Sequence, residues 1–154
     1  MLSDITLFAH ATFGALGALA AVWVFVETLN TRSANIGRIR AASLATAVLI
    51  SLAWICGGYW YLRFYPADRF LILKGPWPFA HSLFMETKEH LFFVTAILAL
   101  LLPIVAREPL DSNPSTRRLV LSIAALVAVT AFALEGAGAV IAHSVKLALL
   151  RHQP

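Results

Sequence analysis

The sequence predicts an all-α integral membrane protein, a four-helix bundle with antiparallel up-down topology and both termini on the same side. Three observations carry that expectation. Of the 154 residues, 60% are hydrophobic and only 13% are charged, too apolar a mixture for an ordinary water-soluble domain of this size. Four apolar stretches, 5–27, 41–62, 80–106 and 119–150, each supply the roughly 20 helical residues that a hydrocarbon core requires. Polar breakers separate them. With no water to satisfy backbone groups inside the bilayer, apolar segments of this length form helices rather than open strands.

The first stretch follows Met1–Asp4, which lacks a basic n-region, and it exceeds a typical signal h-region, so it is expected to remain as a span. The loop 28–40 contains Thr31, Ser33, Asn35 and Gly37, and the loop 107–118 contains Pro109, Asp111, Asn113 and Pro114. The middle connection, Arg63 to Pro78, mixes Pro66, Gly75, Pro76 and Pro78 with Phe70, Leu71, Ile72, Leu73 and Trp77, and is expected to lie along the membrane surface. Together the spans make one transmembrane domain, 1–154, without internal repeats. His152, in the polar tail, reads as solvated.

Orientation follows from basic residues near the helix ends. Arg32, Arg38, Arg40, Arg107, Arg117 and Arg118 gather in the first and third loops, against Arg63, Arg69, Lys74, Lys146 and Arg151 on the other side. The bias assigns loops 28–40 and 107–118 to the cytoplasm and both termini to the outside. Tyr59, Trp60, Tyr61, Phe64, Tyr65 and Trp77 fit an aromatic belt on the outer side. The net charge of +4 comes from these anchors and forms no dense run, so the expected surroundings are a lipid bilayer and no nucleic acid. Cys56 is the sole cysteine, which excludes an intramolecular disulfide and a CxxC redox pair. No nucleotide-binding loop or nucleophile arrangement is present, so the sequence leaves enzymatic activity open, with a membrane electron-transfer component as the candidate.

Ionisable groups inside spans are costly and point to function. Counting back from the basic loops at about 1.5 Å per residue, His10, Glu86, His90 and Glu135 fall in one outer layer, with His81 and His143 further out. Glu86 and His90, four apart, share a helix face. His81, nine residues before His90, stands about half a turn out of phase with it on an undistorted helix. Lys88 is expected to pair with Glu86 or Glu89, or to snorkel toward water. Small residues accompany the histidines: Gly14, Gly17 and Ala21 continue the His10 stripe, and Gly136 and Ala139 precede His143. Such stripes serve either close helix packing or the approach of a flat macrocycle.

Four spans with inward-facing histidines beside glycines resemble the four-helix membrane b-type cytochromes. The resemblance covers the architecture and the histidine-plus-glycine arrangement, without a diagnostic motif. It implies haem b held between neutral imidazoles, with His10 and His90 as one pair and His81 and His143 as another nearer the surface. Those cytochromes often carry histidines at both membrane faces, whereas every intramembrane histidine here is on the outer side. A haem here would serve an outer-face electron-transfer protein or quinol.

A second expectation is a bare iron, copper or zinc ion held by Glu86, His90, Glu135 and His10, a mixed carboxylate and imidazole set. The Glu-x-x-His pairs of a di-iron bundle are missing. A third, from a different class, is a non-catalytic accessory or structural subunit of a larger membrane complex, or a homo-oligomer, in which the small-residue stripes and acids meet other membrane subunits.

Overall fold

The computed structural model of the protein describes residues 1–151; His152 lies outside them. Those residues form five α-helices: α1 (Leu2–Leu29), α2 (Ile36–Arg63), α3 (Tyr65–Lys74), α4 (Glu86–Val105) and α5 (Pro114–Arg151). A π-helical turn, Ala80–Met85, runs directly into α4. Helices α1, α2, α5 and the joined segment Ala80–Val105 are each long and apolar enough to cross a membrane. At about 1.5 Å per residue the 38 residues of α5 extend about 57 Å, beyond a hydrocarbon core of about 30 Å.

Two features depart from the expected linear sketch. The middle connection holds a ten-residue helix, α3, opened by Pro66 in its first turn, where a missing N–H costs nothing. The third span begins with a π turn rather than an undistorted α-helix. That turn contains His81 and precedes His90, so it alters their phase, yet His81 is buried and His90 exposed.

The first and third loops are tied to each other. The Arg40 guanidinium donates to the carbonyls of Ala106 at 3.0 Å and Arg107 at 2.8 Å, satisfying the open C-terminal end of α4. Asn35 is the pin of the first loop: its amide donates to the Glu27 carbonyl at 3.0 Å and carboxylate at 2.9 Å, while its side-chain oxygen accepts the Arg32 N–H at 2.8 Å. Arg38 adds a forked ion pair to Glu27 at 2.9 and 3.2 Å. At the start of α5, Asn113 caps the N–H groups of Ser115 and Thr116.

Near these loops the bundle is packed by small residues. Ala18, Ala21 and Val24 of α1 meet Ile39, Ala42 and Ile50 of α2, Ala99 and Leu102 of α4, and Ile123, Ala124 and Val127 of α5. Gly17 lets α1 approach α2 so closely that an added Cβ would stand 2.8 Å from Ile50 Cδ1. Buried hydroxyls bond within their own helices, as Thr28 to the Val24 carbonyl at 2.6 Å and Thr46 to that of Ala42 at 2.9 Å. Among the described residues no buried side-chain polar atom lacks a partner. Toward the other end a second cluster joins Tyr65 and Ile72 of α3 to Ala80, Met85 and Ile141. Large apolar side chains such as Phe8, Leu19, Ile55, Ile97 and Val129 are exposed, an arrangement compatible with lipid contact.

Candidate functional site

Between the two apolar clusters the helices part around a partly open cavity of about 480 Å³. Its lining includes the apolar side chains of Trp54, Phe92, Phe93, Met85 and Val145 and the polar or small residues His10, Gly57, Tyr61, Asp68, Lys88, Glu89 and Gly138. The size falls within the roughly 300–1,000 Å³ of small-molecule and cofactor sites, and mostly apolar walls with a few polar groups are their usual composition.

His10 reaches this wall because α2 offers no side chain in its way. A Cβ on Gly57 would stand 2.7 Å from the His10 Cε1 and 3.1 Å from its Cγ, and closer still to Nδ1. The imidazole is oriented by the Ala53 carbonyl, 2.8 Å from Nδ1. A carbonyl only accepts, so Nδ1 carries the proton and donates; in the neutral ring Nε2 keeps its lone pair.

Across the cavity, α4 presents Lys88 and Glu89 rather than His90. Lys88 Nζ lies against Gly138 of α5, 2.8 Å from where a Cβ there would be. The ion pairs among the described residues are Met1–Asp4 and Glu27–Arg38, so the Lys88 ammonium is held by no carboxylate in direct contact. The Glu135 carboxylate of α5 is instead seated on the Gly14 backbone, in the space a Gly14 Cβ would take. Tyr61 of α2 and Glu89 line the same cavity. In the same lining, burial pushes the Asp68 carboxyl above its usual pKa.

The residues singled out from sequence are thereby separated. His10 lines the cavity, whereas Glu86 and His90 line a shallow groove on the outside of α4 with Ser82, Thr87, Leu91 and Val94. The reason is rotation: Lys88 and His90 are two residues, about 200°, apart on the helix, so when one faces in the other faces out. The expected His10–His90 pair is not assembled within one chain. Nor is the metal set of Glu86, His90, Glu135 and His10; among the described residues no three histidine, cysteine or acidic side chains converge to hold an ion.

The expected outer pair is also apart. Both His81 nitrogens are occupied: Arg69 Nε donates to Nε2 at 2.8 Å, which leaves the proton on Nδ1, 2.9 Å from the Tyr65 hydroxyl. His81 thus fastens α3 to the start of the third span. Burial beside this contact raises the Tyr65 hydroxyl well above its ordinary pKa. His143 is exposed and packs on the Trp77 ring at 5.2 Å between centroids. Gly136 and Ala139 share its exposed side, so that stripe borders no macrocycle cleft.

Met85, Asp68 and Ala53 had no place in the sequence-derived site. Met85 belongs to the π turn and Asp68 to α3, the two elements that apolar periodicity does not reveal; Ala53 acts through its backbone carbonyl, to which side-chain identity gives no clue. No protein-family model matches the chain, and comparison with the curated proteins and with the solved structures finds no match.

Proposed function

We propose that this chain is a small membrane electron-transfer protein whose interior cavity would hold one b-type haem through His10 Nε2. The observation that carries the reading is the His10–Ala53 bond at 2.8 Å on the cavity wall. Metal-ligating histidines almost always donate their other ring N–H to a carbonyl or carboxylate, which fixes tautomer and orientation. His10 is the imidazole in this lining; the thioether of Met85, in the same lining, would be the second donor available to the iron. Histidine–methionine ligation raises a haem potential relative to two imidazoles. Trp54, Phe92 and Phe93 supply the apolar wall, and Lys88 a cation for a haem carboxylate.

In this reading consecutive spans run antiparallel, the two basic loops are cytoplasmic and the cavity belongs to the outer half of the membrane. The Arg40 contacts that join the two loops support their lying on one side. The electron donor to such a site would be an outer-face quinol or electron-transfer protein. The test is an oxidised and reduced absorption spectrum, with iron analysis, of protein purified from its native membrane in mild detergent. One haem per chain with bands that sharpen on reduction is expected; iron-free, colourless protein from that source removes the proposal.

A further inference from the structure

We infer that the outward face of α4 is the contact surface for a second copy of this chain, packed parallel to the first about a two-fold axis along the membrane normal. The inference is independent of what fills the cavity. Its starting point is a misplaced set of polar groups. Glu86, Thr87 and His90 are exposed on the outside of the bundle. His90 stands ten residues into the Ala80–Val105 segment, about 15 Å along a helix of about 39 Å, and thus about 10 Å below the edge of a 30 Å hydrocarbon core. Ionisable groups at such depth face protein or water, not lipid chains.

The same helix is the least covered of the four spans. Of the residues in its most apolar stretch 17% are buried, against 28–39% in the other three. Its exposed residues Thr87, His90, Val94, Ile97, Leu101 and Ile104 follow one another at steps of three, four, three, four and three. That is the seam of a left-handed helix pair, in which a polar layer sets the register. Exposed stripes on α1, with Leu2, Ile5, Leu16, Leu19 and Val26, carry no comparable polar layer and suit lipid alone.

Complementarity argues for a second copy rather than a different chain. His90 Nδ1 donates to the Glu86 carbonyl at 2.7 Å, so the neutral ring offers Nε2 as an acceptor to whatever lies outside. Thr87, one layer away, offers a hydroxyl donor. In a parallel two-fold pair, each Thr87 hydroxyl meets the His90 Nε2 of the other copy, and symmetry makes the bond twice. Val94, Ile97 and Leu101 then pack against their equivalents below it.

The experiment is disulfide trapping of the full chain in native membranes, in a Cys56→Ser background. Ile97→Cys and Leu101→Cys should each give a species of twice the chain mass, and Val129→Cys, as exposed on α5 as Ile97 is on α4, should give at least tenfold less. Adding Thr87→Ala and His90→Ala should lower the trapped yield at least tenfold, while His90→Gln, which keeps an acceptor, should preserve it. Equal trapping at Val129→Cys, trapping only to a chain of another mass, or no trapping at either α4 position would overturn the inference.

Discussion

The half of the bundle beside the basic loops and the half containing the cavity are built from the same four long helices, yet glycine does opposite work in them. At Gly17 the missing side chain is filled by Ile50, and the helices close on each other. At Gly57 it is filled by an imidazole, and the helices hold a polar group at a cavity wall. A small residue within a span therefore does not announce its role. What its neighbour places in the vacated space decides between packing and binding.

The sharpest break between the halves should come from Gly57→Val. The new side chain claims the volume of the His10 ring, and overpacking of about 1–3 kcal/mol at the proposed ligand corresponds to roughly a fivefold to 150-fold weakening of haem retention. Protein level in the membrane should change little; unchanged haem content would contradict the geometry. Gly17→Val should do the reverse, lowering bundle stability by about 1–3 kcal/mol with the haem spectrum of the surviving protein intact. A denaturation midpoint equal to that of the parent would show that the α1–α2 seam can spread at no cost.

Lys88→Met tests the polar lining of the cavity. Loss of one charge-assisted hydrogen bond, worth about 1.5–3 kcal/mol, should weaken haem retention roughly tenfold to a hundredfold without moving the axial-ligand bands. A shifted band pattern would mean that Lys88 itself touches the metal. Asp68→Asn should have the smallest effect. Burial holds the Asp68 carboxyl above its ordinary pKa, so its charged form is disfavoured in the folded protein. Stability contributed by the neutral form is therefore lost as pH rises from the usual aspartate range through the raised value. Wild type and Asp68→Asn should melt together at acid pH, with the variant higher at neutral pH; identical midpoints throughout would show that the burial carries no such penalty.

The spans were legible because membrane thickness fixes helix length, and the polar loops marked their ends to within a few residues. Helix α3 was hidden because its short amphipathic sequence lies among prolines and aromatic residues, and the π turn because hydrophobicity does not encode an extra residue in a turn. His10 could be recognised as a possible ligand from its depth and its glycine neighbours. His90 looked equivalent by the same criteria. Its outward direction depends on how α4 is rotated against α2 and α5, a tertiary property to which depth counting is blind. Lys88 suffered the converse error, read as a snorkelling or locally paired cation although it is turned inward against Gly138. The Tyr65–His81–Arg69 contact joins side chains up to 16 residues apart through ring nitrogens, and no spacing rule anticipates it.

The most direct measurement compares reduced spectra and iron content of His10→Ala and His90→Ala, each purified in parallel with the parent protein from the native membrane. The cavity geometry predicts that His10→Ala loses its haem while His90→Ala keeps a full complement with unchanged bands. Full haem in His10→Ala, or loss of haem in His90→Ala alone, would contradict the placement of the cofactor on His10.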